Sequence, residues 1–151
     1  MKIVYKQYTV EMTSDIIKLQ QTWVDENITY GFGADTVEEI QTHNRDYFYS
    51  AFDGVKAIAY VTAEVIYNLD NEYINIFPQG TKFIRVNDLY VLPEYRSNQI
   101  GENLLETVEE RAKANGISAF FISSATNDAA SVRRFYEKNG YLIWTTLFYK
   151  K

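Results

Sequence analysis

Cysteine is absent from the 151-residue chain, which excludes disulfides, thiolate zinc sites and a cysteine nucleophile together. Histidine occurs once, as His43, and that removes most metal-binding and catalytic-triad chemistries. Basic residues are scarce too: Lys and Arg total 15 against 20 Asp and Glu, giving a net charge of −5, and no basic run exceeds a pair. Nucleic acids are gripped by basic stripes, so no nucleic-acid partner is expected and cationic small molecules suit this surface better. No apolar run approaches the roughly 20 residues that cross a bilayer. The start, M-K-I-V-Y-K-Q-Y, lacks the apolar core of a signal peptide. The expectation is a cytoplasmic protein with no membrane partner and no metal.

What is present is ample for a core. With 46% hydrophobic and 23% charged residues, residues 1–151 are expected to form one domain. Ile3 and Tyr5 alternate with polar neighbours as in a short strand. Thr13 and Ser14 offer a helix cap, after which Ile16, Ile17, Gln20, Trp23 and Val24 recur at helical spacing to about Glu26. A loop with Tyr30 and Phe32 between glycines follows, and Thr36 with Glu39 reads as a capping box opening a second helix to about Asn44. Tyr47–Phe52 and Val55–Tyr67 are rich in β-formers and flank Asp53-Gly54, the signal of a tight hairpin. Residues 68–81 form a longer loop holding Asp70, Glu72, Tyr73 and Phe77.

The chain is organised around Asn87–Leu105, N-D-L-Y-V-L-P-E-Y-R-S-N-Q-I-G-E-N-L-L. A strand from Lys82 to Leu92 breaks at Pro93, turns, and starts a helix whose buried face carries Ile100, Leu104, Leu105, Val108 and Ala112. Glu102, Glu106, Glu109, Glu110 and Lys113 are expected to face water. Such a turn offers unpaired N–H groups beside the positive end of a helix dipole, an anion site. It lacks the Lys-Ser/Thr ending of a P-loop and any G-x-G-x-x-G, which disfavours a nucleotide triphosphatase or dehydrogenase. Asn115-Gly116 closes the helix, Ile117–Ser124 reads as a strand parallel to the first, and a last helix spans about Asp128–Lys138 with Asn127 or Thr126 as cap. Tyr141–Tyr149 reads as a final strand or pair of strands.

V-L-P-E-Y-R-S-N-Q-I-G-E-N-L-L followed by N-D-A-A-S-V-R-R-F-Y-E-K-N-G-Y resembles the GNAT superfamily of N-acetyltransferases over Val86 to the C-terminus. The resemblance implies an α/β fold with a mixed central sheet, a splayed parallel strand pair and flanking helices. It implies acetyl-CoA as cosubstrate, its pyrophosphate held by the backbone of Arg96, Ser97, Asn98, Gln99, Ile100, Gly101 and Glu102. Leu89 and Val91 would offer backbone groups to the pantetheine arm, and Asn127 matches a pantetheine contact. Arg133 and Arg134 would meet CoA phosphates, and Tyr136 matches the catalytic tyrosine that protonates the leaving thiolate. The family pattern, Arg or Gln, two residues, Gly, one residue, Gly or Ala, falls on Arg96, Gln99 and Gly101. Its middle position is glutamine here, so either the turn adjusts or Gln99 bears a left-handed conformation at a cost on the order of 1 kcal/mol.

For the base that deprotonates the acceptor, Asp88 on the motif strand competes with Glu64 on the preceding one, and a water-mediated route is a third option. Tyr30, Phe32 and the 68–81 loop are expected to wall the acceptor site, their rings and carboxylates suiting an ammonium group. The expected function is acetyl transfer to a primary amine, a small cationic amine such as a polyamine or an amine antibiotic. Acetylation of a protein N-terminus or lysine is one alternative. A non-catalytic CoA-sensing or interaction module is the other, motivated by Gln99. A homodimer through a strand near the C-terminus is also expected.

Overall fold

A computed structural model describes residues 1–70, 73 and 76–151, so Glu72 lies outside the described residues. The element order is β1 (Ile3–Gln7), α1 (Thr13–Glu26), α2 (Val37–Thr42), β2 (Phe48–Asp53), β3 (Lys56–Tyr67), β4 (Lys82–Val91), α3 (Ile100–Ala114), β5 (Phe120–Ile122) and α4 (Ala129–Lys138). The strands form one sheet in the order β1-β2-β3-β4-β5, antiparallel throughout except for the parallel β4–β5 pair. This is the mixed sheet that the resemblance implies.

Local sequence explains most of these boundaries. Asp53 pairs with Lys56, and Gly54 at the intervening tip takes φ 61°, which glycine tolerates without a Cβ penalty. Thr36 accepts from the Glu39 N–H at 3.2 Å, while Glu39 Oε2 accepts from the Thr36 N–H at 2.8 Å. Both bonds satisfy donors that a helix start leaves orphaned. Thr36→Ala is therefore expected to lower stability by about 1 kcal/mol in urea unfolding. The helix ends at Thr42, two residues before the expected Asn44, because Asn44 instead accepts from the Asp46 N–H and caps a short 3-10 turn.

Four further expectations are corrected. Thr13 does not cap α1 from outside. It is the first helical residue, and its buried hydroxyl bonds the Val10 carbonyl at 2.7 Å and the Tyr8 phenol at 2.5 Å. Neither Asn127 nor Thr126 caps α4, since both side chains bond the loop after α1. Asp128 takes the role, accepting from the Ser131 N–H at 3.3 Å. On α3, Ile100, Leu104, Leu105, Val108 and Ala112 are buried as their spacing requires, but Glu102 and Glu109 are half-buried rather than water-facing. Burial accordingly raises the Glu109 carboxyl. Finally, residues 141–151 contain no strand. Tyr141 docks on Tyr136, but Leu142, Leu147 and Phe148 are each more than 90% exposed, because β5, at three residues, presents little edge to pair with.

Two irregularities of β4 shape one end of the sheet. The ladder with β3 runs Thr62↔Asp88 and then Ala63↔Val86, so Asn87 is an extra residue that bends β4. On the other side, β4 pairs with β5 only from Ile84 to Val86. Beyond that point β5 ends, and β4 continues to Val91 with one edge open.

Candidate active site

The turn between β4 and α3 is built to present N–H groups. Arg96 N–H bonds the Pro93 carbonyl at 3.3 Å, and the first helical bond runs from Asn103 N–H to the Gln99 carbonyl at 2.9 Å. Between them, the N–H groups of Ser97 to Glu102 have no acceptor among the described residues. Ser97 and Gln99 adopt φ of 64° and 62°, and the Asn98 amide pins the turn to the Tyr95 and Arg96 carbonyls at 3.1 Å. Left-handed residues inside such a turn curl successive N–H groups around one point, an anion nest at the N-terminus of a helix. Gly101 leaves that helix start bare, with a notional Cβ 3.5 Å from Val91 and Phe135 side chains. The residues present fit a pyrophosphate.

At Gln99 the turn has not adjusted; glutamine holds the conformation that glycine would adopt freely. A left-handed L-residue costs roughly 1–2 kcal/mol, and glycine's extra unfolded-state entropy returns about 0.5–1. Gln99→Gly is expected to raise stability by about 0.5–1 kcal/mol in urea unfolding. A loss of stability would show that the turn carries no such strain.

The charged side chains near the turn are less free than the sequence suggests. Arg96 donates from Nε to the Val91 carbonyl at 3.0 Å and from its terminal nitrogen to Glu26 Oε2 at 2.8 Å, and it lies over the Tyr90 ring. Glu102, the negative charge beside the turn, is paired with Lys138 at 3.2 Å. Arg133 pairs with Glu137 at 2.9 Å and Arg134 bonds Ser131 at 3.1 Å, both on the exposed face of α4.

A cleft of about 110 Å³ opens where β4 and β5 part, lined among others by Trp23, Phe32, Asp88, Leu89, Ser123 and Tyr136. Leu92 N–H bonds the Ile58 carbonyl at 2.9 Å, so alternate residues Tyr90 and Asp88 also turn their backbone toward β3. Leu89 and Val91 therefore point theirs to the side that β5 has left, although the Val91 carbonyl is taken by Arg96. The Tyr136 hydroxyl has no hydrogen-bond partner among the described residues, and burial pushes the phenol well above its ordinary value. Burial likewise raises the Asp88 carboxyl, partly offset by the Tyr60 hydroxyl, which donates to Asp88 Oδ2 at 2.9 Å.

Other expected residues sit elsewhere. Glu64 faces Arg85 across the β3–β4 ladder and forms an ion pair with it, outside the cleft. Tyr30 is exposed, its hydroxyl 3.3 Å from that of Tyr149, and does not line the cleft. In the 68–81 loop, Tyr73 and Phe77 pack against Phe83, with ring centroids at 4.9 and 4.6 Å, instead of walling the site. Asn127 spends its amide on the Asn27 carbonyl at 3.0 Å and its N–H on Ile28 at 2.9 Å, fastening the loop after α1 across the end of β5. Phe32 lines the cleft, stacked at 3.9 Å on Trp23, which stacks in turn at 5.0 Å on Tyr90. The helical spacing of Trp23 marks it as core, so its place at the cleft went unread. Its position on the last turn of α1, beside an aromatic loop, is the only local signal.

The model of the acetyltransferase (GNAT) family matches residues 12–141. A search of curated proteins finds no match. Among solved structures, the chain is similar to an aminoglycoside antibiotic 6'-N-acetyltransferase from Acinetobacter baumannii, with TM-score 0.72 and 22% identity over 99% of this chain and 98% of that one. It is similar to an aminoglycoside acetyltransferase from an uncultured soil metagenomic sample, with TM-score 0.71 and 18% identity over 100% and 99%. A ribosomal-protein-alanine N-acetyltransferase from Brucella melitensis gives TM-score 0.69 and 12% identity over 99% of both chains. At these identities the likeness is one of fold.

Proposed function

Because the chain belongs to the GNAT acetyltransferase family, we propose that it transfers an acetyl group from acetyl-CoA to a primary amine, with a small cationic amine as acceptor. The observation that carries this reading is the meeting of Asp88, the open backbone edge at Leu89 and the unpartnered Tyr136 hydroxyl on one cleft, with the anion nest of Ser97–Glu102 following on the same strand. The aromatic wall of Trp23 and Phe32 and the net charge of −5 favour a cationic acceptor.

Each residue has a definite task in that reaction. An alkylammonium near the lysine reference of about 10.4 is roughly one part in two thousand neutral at pH 7, so Asp88 takes its proton before attack. The nitrogen then bonds to the thioester carbon, and the N–H of Leu89 or Val91 stabilises the oxygen that gains charge. As the C–S bond breaks, Tyr136 donates to the departing sulfur. The ammonium loses two protons overall; one is balanced by the thiol that forms and the other reaches solvent through Asp88. The anion nest and the nearby strand edge supply the binding energy that holds the thioester in place.

The test is thiol release from acetyl-CoA against polyamines, aminoglycosides and peptides. Turnover of small cationic amines is expected. Turnover confined to peptides would shift the acceptor to a protein amine. No turnover with any amine, together with CoA raising the melting temperature, would make the protein a CoA-binding module instead.

A further inference from the structure

Asp88 is held by the buried Tyr60 hydroxyl, and a second buried polar side chain, Gln20, is tied to the α1–α2 loop. Gln20 and Tyr60 are both 0% exposed, an unusual burial for two polar groups unless each is fully employed. The Asp35 main-chain N–H donates to Gln20 Oε1 at 2.7 Å, which fixes the orientation of the amide. Its nitrogen then donates to Asp35 Oδ2 at 2.9 Å. Tyr60 directs its single proton to Asp88 Oδ2 at 2.9 Å. His43 Nε2 meets Asp35 Oδ2 at 3.2 Å. Asp88 Oδ1 has no partner among the described residues.

We propose that Tyr60 is a positioning residue that holds Asp88 ionised within an otherwise desolvating site and leaves Oδ1 for the acceptor amine. This rests on Asp88 being the base of the reaction above. The charged and titratable groups around Asp88 act in different senses. Tyr60 on β3 favours the carboxylate by donating to it. Asp35, from the α1–α2 loop, opposes ionisation through its like charge, and His43 after α2 offsets Asp35. Tyr136 stands across the cleft on α4.

Two near-isosteric variants separate positioning from general damage. Tyr60→Phe removes the donor to Asp88 and is expected to raise the Asp88 pKa by about one to two units, the worth of one hydrogen bond to a charged group. Asp35→Asn keeps an acceptor for Gln20 but removes the like charge, and should move Asp88 the opposite way. The measurements are carbon-13 NMR titration of the Asp88 carboxyl and the acid limb of kcat against pH. Opposite shifts seen by both methods establish the proposal. An Asp88 titration unchanged in Tyr60→Phe, or shifted in the same direction by both variants, overturns it. NMR shifts without matching movement of kcat, or without turnover of any amine, leave Tyr60 governing Asp88 and reject Asp88 as the base.

Discussion

Asp88→Asn is expected to lower kcat by about 100-fold or more at pH 7, the range that removal of a general base produces, while making the folded protein more stable at that pH. The two effects share one cause. Asparagine keeps an oxygen to accept from Tyr60, so the buried hydrogen bond is retained, but it cannot take a proton from an ammonium. The stability effect follows from burial, which raises the Asp88 carboxyl in the folded state. Between the unfolded carboxyl pKa of about 3.9 and the raised folded value, the folded protein binds more protons than the unfolded chain. Wild-type stability therefore falls as pH rises through that window and stays lower above it, whereas the amide has no charge to desolvate. Urea unfolding should show the variant ahead of wild type at pH 7 and level with it below the window. A kcat within tenfold of wild type would remove Asp88 as the base; a variant less stable at pH 7 would mean that the Tyr60 bond outweighs desolvation.

Legibility of the fold tracked how local the physics was. The α3 face, the Asp53-Gly54 hairpin and the Thr36–Glu39 capping box are each settled within a few residues, and each was readable. Tyr136 was not readable from chemistry alone, because the chain has 13 tyrosines; only its setting after Asn127, by resemblance, singled it out. What escaped depended on long-range register. Glu64 alternates correctly along β3, but only the ladder with β4 reveals Arg85 opposite it. Gln20 reads as an ordinary helix position until its amide meets Asp35, on the loop beyond the helix. Tyr141–Tyr149 shows the opposite failure: its β-forming residues describe a preference, and no ladder in the described chain satisfies it. The Gln99 turn lay between these cases, since the sequence could pose the conformational question while only the backbone could answer it.

Tyr136→Phe should lower kcat at least tenfold with little change in CoA affinity. The ring is held by packing, with Phe135 at 5.0 Å and Tyr141 at 5.6 Å between centroids, and phenylalanine preserves both contacts. What is lost is one hydroxyl, facing a cleft and bonded to nothing in the described protein. Because burial raises the phenol above its ordinary value, it stays protonated throughout the range in which a thiolate forms, with a thiol reference near 8.5. Full proton transfer from such a phenol to a thiolate is uphill, so its contribution is a hydrogen bond that strengthens as charge gathers on sulfur. A bond to a charged group is worth about 1.5–3 kcal/mol, or roughly 10- to 150-fold in rate. An acetyl thioester with a more acidic thiol gathers less basic charge on its sulfur, so the loss should shrink with that substrate. Equal losses with both thioesters would assign Tyr136 to packing rather than leaving-group stabilisation, and an unaltered rate would remove it from the mechanism.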